Sequence, residues 1–118
     1  MANKDEIEKL LADLMDNIPE IEGLIAAEDG KVIVGQTLTE LDHSGVADNS
    51  VKILENATKL AQIIEKGDVK EINVRANDGY VIIVGSGNLL FAAITGTDAT
   101  SSLGLIQRNL RIALEKVL

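Results

Sequence analysis

Between Val69 and Thr95 three apolar runs, VKEINVRA, YVIIVG and LLFAAIT, are separated by gaps of only three residues. A gap that short cannot hold a crossover, so consecutive runs must lie antiparallel in a meander. Asp78-Gly79 supplies the first turn and Ser86-Gly87-Asn88 the second, residue types that accept positive backbone angles. Upstream, IEGLIAAE and KVIVGQ flank Asp29-Gly30 in the same way and predict another hairpin. Local spacing alone thus yields five strands.

The segments around the hairpins read as helices. Ile7, Leu10, Leu11, Leu14, Met15 and Ile18 recur at helical spacing and form one apolar stripe. Asn3 or Asp5 can cap this helix, and Pro19 ends it near Asn17 by forcing Ile18 out of helical geometry. From about Val46 to Lys66, the residues Leu60, Ile53, Val46, Ile64, Ala57, Ala61, Leu54, Ala47, Thr58 and Val51 fill an arc of about 180°. That is wider than the ~100° stripe a single sheet face uses. Gly67 is expected to end this helix, with the third strand directly after it. The last helix comes after Thr97-Asp98-Ala99-Thr100-Ser101 and carries Leu103, Ile106, Leu110, Ala113, Leu114 and Val117 on one face. Leu105 and Ile112 sit nearly opposite and are expected to touch the first helix.

Strand patterning orders the sheet. YVIIVG, LLFAAI and GLIAA are apolar on both faces, as central strands covered on each side must be. In the third strand Ile72, Val74 and Ala76 alternate with Glu71, Asn73 and Arg75, which marks an edge. Joining the hairpins economically places the first and fifth strands together. The expected fold is α/β of the α+β type: one domain over residues 1–118, a three-layer, five-stranded antiparallel sheet in the order 2-1-5-4-3. Its topology is α-β-β-α-β-β-β-α, with helices on both faces.

Composition excludes several function classes. The formal charge of −8 repels nucleic acid and anionic lipid. Tyr80 and Phe91 are the only aromatics, which leaves no stacking platform for bases. There is no cysteine, and the charged start MANKDEIEK is unlike a signal peptide, so a cytoplasmic protein is expected.

No chemistry-bearing motif stands up. Gly85-Ser86-Gly87 lacks a third glycine, because Leu90 takes that place, and a strand comes next where a dinucleotide loop needs a helix. It reads as a hairpin turn. A P-loop signature is absent from the sequence. His43 is the sole histidine and, with only Asp42 beside it, reads as an ordinary loop residue. Ser44, Ser50, Ser86, Ser101 and Ser102 read as turn and cap residues, and Asp29 and Asp78 are explained by their turns. No catalytic residue, cofactor or metal is expected.

The remaining feature is surface that one copy cannot satisfy. An edge strand of about eight residues without proline invites another chain, and the long helix adds surplus apolar width. A symmetric homodimer is expected, through Val51, Leu54, Thr58 and Ala61 of the helix and Glu71, Asn73 and Arg75 of the edge. Lys52, Lys59 and Lys66 form a basic ridge at seven-residue spacing, which reads first as a solvated face.

The order of elements resembles the Roadblock / dynein light chain family. The matching residues are Ile21-Glu22-Gly23-Leu24-Ile25 leading to Glu28-Asp29-Gly30, then Gly67, and finally Gly104-Leu105-Ile106-Gln107-Arg108 opening the last helix. Glu28 stands where many members have aspartate. The resemblance covers nearly the whole chain. It implies a small cytoplasmic homodimer, or a heterodimer with a related subunit, that is not an enzyme itself and regulates or scaffolds a Ras-like small GTPase. It further implies a docking surface drawn from the long helix, with Glu55, Lys59 and Gln62 toward the partner beside Val51, Leu54 and Thr58. That helix has no arginine, so any stimulation of hydrolysis would be indirect. Size and acidity suggest a prokaryotic member. A small-molecule sensor, or a structural subunit of a motor or assembly, is the alternative.

Overall fold

The computed structural model describes residues 3–118. Helix α1 (Lys4–Asn17) starts where the Asn3 side chain accepts the Glu6 N–H at 3.1 Å, and it stops as Ile18 turns extended ahead of Pro19. Strands β1 (Ile21–Glu28) and β2 (Lys31–Thr37) form the first hairpin. Helix α2 (His43–Ile63) crosses the sheet to the meander of β3 (Glu71–Ala76), β4 (Gly79–Ser86) and β5 (Leu89–Thr95). A short 3-10 turn (Thr97–Ser102) leads into helix α3 (Leu103–Lys116). The five strands are antiparallel throughout and lie in the order β2-β1-β5-β4-β3.

Alternation across the strands builds two cores. Leu24, Ala26, Ile82, Val84, Phe91 and Ala93 point to one face, where Ile7 and Leu11 of α1 and Ile106 and Leu110 of α3 close over them. Ile25, Ala27, Ile83, Leu90 and Ala92 point to the other, where Ala47 is the buried apolar residue of α2. Two helices serve the first face and one serves the second.

The turns use their glycines differently from the sequence expectation. Asp29 and Gly30 take φ of 54° and 78°, the paired positive angles expected of that hairpin. In the β3–β4 hairpin the turn residues are Asn77 and Asp78, and Gly79 is already the first residue of β4. Gly79 is needed because a Cβ there would collide with the main-chain carbonyl of Thr95 in β5. In the β4–β5 hairpin Gly87 has φ 61°.

Helix α2 is displaced toward the N-terminus relative to its apolar pattern. Asp42 caps it, its side chain accepting the Gly45 N–H at 3.0 Å, so the helix begins at His43. At the other end, Glu65 N–H donates to Gln62 O at 3.0 Å and Lys66 N–H to Ala61 O at 2.8 Å. Glu65 takes a left-handed position (φ 60°) directly after the helix, and Gly67, expected to end it, takes a second one (φ 82°) two residues on. The third strand starts at Glu71 and is six residues long, shorter than its pattern suggests. A non-glycine residue in that conformation is strained. Glu65→Gly is therefore expected to stabilise the fold by about 0.5–1 kcal/mol, seen as a raised midpoint in urea; an unchanged or lowered midpoint would contradict it.

The last helix also departs from expectation. Leu105 and Ile112 stay 53% and 39% exposed, so α1 does not cover them. They point away from the sheet because Ile106, Leu110, Ala113 and Leu114 set the buried side of α3.

Candidate interaction surfaces

On the second face, α2 lies mainly over β2, β1 and β5, and covers β4 and β3 only in part, leaving Val81 and Val74 half-buried. A groove of about 450 Å³ opens there, with Val74, Val81 and Ile83 as its floor and Val46, Ser50 and Ile53 as one wall. Along α2 above it, Ile53, Leu60 and Ile64 are 39%, 64% and 58% exposed. With Ala57 between them, these residues recur at alternating intervals of four and three, the pattern of a helix seam awaiting another helix.

The two sheet edges are not equivalent. In β2 the register jumps from Ala26↔Val34 to Ala27↔Val32, so Ile33 bulges, and the Gln36 side chain donates to the Glu8 carbonyl of α1 at 3.3 Å. A bulged and tethered edge resists pairing. In β3 the register is unbroken from Glu71↔Val84 to Ala76↔Gly79. The Gly85 N–H donates to Lys70 O at 2.9 Å, which sets the phase of that ladder. Ile72, Val74 and Ala76 therefore bond to β4, and the main-chain groups of Glu71, Asn73 and Arg75 point off the edge.

The structure distributes the sequence-derived interface residues over several environments. Val51 and Leu54 pack, partly buried, on the core under α2. The Thr58 hydroxyl accepts the Val69 N–H at 3.3 Å, which ties the helix to the approach of β3, and Ala61 is half-buried. Glu71 accepts from Arg111 of α3 at 2.9 Å, whereas the side chains of Asn73 and Arg75 are exposed. The exposed seam of Ile53, Leu60 and Ile64 lies inside the apolar arc that the sequence showed. Its outward phase was not legible, because the arc was too wide to reveal which side the sheet would take.

Glu55, Lys59 and Gln62 are exposed on the opposite flank of α2 from the groove. The Gln62 amide donates to Asp68 at 3.3 Å, and Lys52 pairs with Asp48 at 2.9 Å. Glu55 and Lys59 border a second, larger cleft of about 790 Å³ between α2, the two hairpin tips and residues 68–70. Its wall is clamped by Asn88, whose side chain donates to Asp29 at 2.9 Å while its carbonyl accepts the Asp29 N–H at the same distance. Sequence reasoning missed this cleft, since its lining comes from four separate segments.

His43 is a structural residue at the start of α2 and not a loop histidine. The Thr37 hydroxyl gives its one proton to Thr39 O at 2.6 Å, so it accepts from His43 Nε2–H at 3.1 Å. The imidazole lies against Gly35, where a Cβ would overlap it. Gly35→Ala is expected to cost about 1–3 kcal/mol, read by thermal unfolding, and the loss should shrink in a His43→Ala background. Equal losses in both backgrounds would refute the contact. Among the described residues no helix is long and apolar enough to cross a membrane, and no three His, Asp or Glu side chains gather to hold a metal ion.

A Roadblock/LC7 domain profile matches residues 7–95, well over half of the chain. MglB of Myxococcus xanthus has the same fold at 13% identity, over 98% of this chain and 92% of that one, with a TM-score of 0.83. The gliding protein MglB of Thermus thermophilus superposes at 11% identity over 97% and 89%, with a TM-score of 0.84. A Roadblock/LC7 domain from Streptomyces avermitilis does so at 16% identity over 92% of both chains, with a TM-score of 0.79. At such identities the likeness is one of fold. No curated protein sequence matches this chain.

Proposed function

Since this chain belongs to the Roadblock/LC7 domain family, we propose that it acts by association, as a homodimeric, non-enzymatic regulator or scaffold for a Ras-like small GTPase. The observation that carries the association is the half-covered face: one sheet face has two helices and the other has one, beside an apolar groove and an exposed seam. A second copy related by a two-fold axis satisfies all three needs together. Edge β3 meets edge β3, the seam of Ile53, Ala57, Leu60 and Ile64 meets its equivalent, and each α2 helps roof the groove of the other. The contact is isologous, so it closes and does not propagate.

The GTPase partner rests on what the family resemblance implies. It is supported by a surface that pairing leaves open: Glu55, Lys59 and Gln62 lie on the flank of α2 away from the groove. The deciding experiment is a pulldown of purified Ras-like GTPases, loaded with GDP or a non-hydrolysable GTP analogue, on the immobilised protein. Capture that depends on the nucleotide supports a regulator, since only differential affinity biases a switch, and capture indifferent to it supports a scaffold. No capture from a broad panel would remove the GTPase from the proposal and leave the dimer as a structural subunit.

A further inference from the structure

The large cleft beside α2 is not used by the dimer, because it lies on the flank opposite the seam. Its apolar lining is formed by the side chains of Val51, Leu54 and Leu90. Gly85 sits in the interior of β4 beneath Leu54, without the positive φ that would demand glycine. A glycine inside a strand weakens it and commonly marks a place where another group approaches closely. Here the nearest atom to a Cβ on Gly85 would be the Leu54 side chain, at 3.1 Å. The missing side chain therefore makes room for Leu54, which itself lines the cleft.

Charges of both signs ring the mouth: Lys59 and Lys70, against Glu55, Asp29 and Asp68. Asp29 and Asp68 each receive a side-chain amide from the chain itself. Among the described residues the only ion pairs are Lys52–Asp48 and Arg111–Glu71, so Lys59, Lys70 and Glu55 have no intramolecular counterion.

We infer that this cleft is a socket for one apolar side chain presented by a protein partner, flanked on that partner by an acidic group for Lys59 and Lys70 and a basic group for Glu55. The inference rests on the reading of the α2 flank as a docking surface and names the chemistry of the group that docks there. A protein fits better than a small molecule. The cleft is open along one side and lacks aromatic walls, so a small ligand would stay wet, whereas a folded partner brings its own rim to exclude water around a central anchor. Three unpaired charges of both signs select the anchor's neighbours, since like charges brought together there are penalised.

The test uses the full chain as bait for a phage-displayed random dodecapeptide library, with three variants in parallel. Gly85→Leu crowds Leu54 out into the cleft, Lys59→Glu reverses the mouth, and Lys52→Glu changes the same helix outside the cleft. All four are first matched by light scattering and thermal melting. Enriched peptides should carry an apolar residue between an acid and a base, lose about ten-fold or more in affinity on Gly85→Leu and Lys59→Glu, and change less than about two-fold on Lys52→Glu. Absence of enrichment, or peptides indifferent to both cleft variants, overturns the socket. So does a thermal shift with a small metabolite that Gly85→Leu abolishes. Because the library contains no GTPase, a negative GTPase pulldown and a negative library selection fail independently. If Gly85→Leu does not fold, Lys59→Glu alone decides.

Discussion

Leu60→Asp is expected to convert the protein from dimer to monomer at micromolar concentration without unfolding it. Leu60 is 64% exposed in the single chain, so aspartate there loses little within one copy. Across the proposed two-fold contact it loses the burial of a leucine, about 2 kcal/mol, and a carboxylate must be stripped of water or must splay the helices apart. The symmetry applies the loss twice, so the dissociation constant should rise by roughly 10³ or more. Light scattering and sedimentation read the mass, and thermal melting reports whether the monomer is folded. A Leu60→Asp protein that stays dimeric, or a wild type that is already monomeric at tens of micromolar, would show that the seam and groove are not a self-contact. Leu54 is the informative contrast, because it packs on its own sheet. Leu54→Asp should lower the melting temperature of the folded chain whatever its association state.

Gly79→Ala should be the most damaging single methyl in the chain, at about 3 kcal/mol or more, since overpacking and backbone strain add at one position. Its φ is 159°, outside the regions that side chains prefer, and the added methyl meets the rigid main-chain carbonyl of Thr95. No rotamer change can relieve that overlap. Only separation of β4 from β5 can, and Tyr80↔Thr95 is the adjoining pair of that ladder. Against a typical total of 5–15 kcal/mol for a domain, the loss is a large fraction of stability. Gly85→Ala is the control: there the nearest obstacle is the flexible end of Leu54 at 3.1 Å, which has room to shift. Urea denaturation of the two variants should separate them clearly. Equal midpoints would mean that Thr95 does not press against Gly79 across the β4–β5 pair.

How much of this could be read beforehand depends on how local each cause is. The strand order was legible because gaps of three residues force antiparallel neighbours, and because the alternation of Ile72, Val74 and Ala76 with Glu71, Asn73 and Arg75 marks an edge. The same alternation named β3 as the edge for pairing, but what closes the β2 edge was not legible, since the bulge at Ile33 arises from fitting β2 against β1 and has no residue signature of its own. The place of Gly79 was misread for a similar reason. Asp78-Gly79 looks like a turn dipeptide, and only the approach of Thr95 from the neighbouring strand shows why the glycine stands in β4.

By itself, then, the sequence determined the features set by neighbours along the chain: the helical stripes, the hairpins, the order 2-1-5-4-3 and the surplus apolar arc of α2. Tertiary structure alone decided the rotation of that helix. It turned Val51 and Leu54 inward and Ile53, Leu60 and Ile64 outward, placed His43 on Gly35, and opened a cleft between segments far apart in the chain. The physical reason is that an apolar arc wider than one contact leaves several helix rotations nearly equal in buried area. Packing against a particular sheet, with its glycines and its half-covered strands, selects among them.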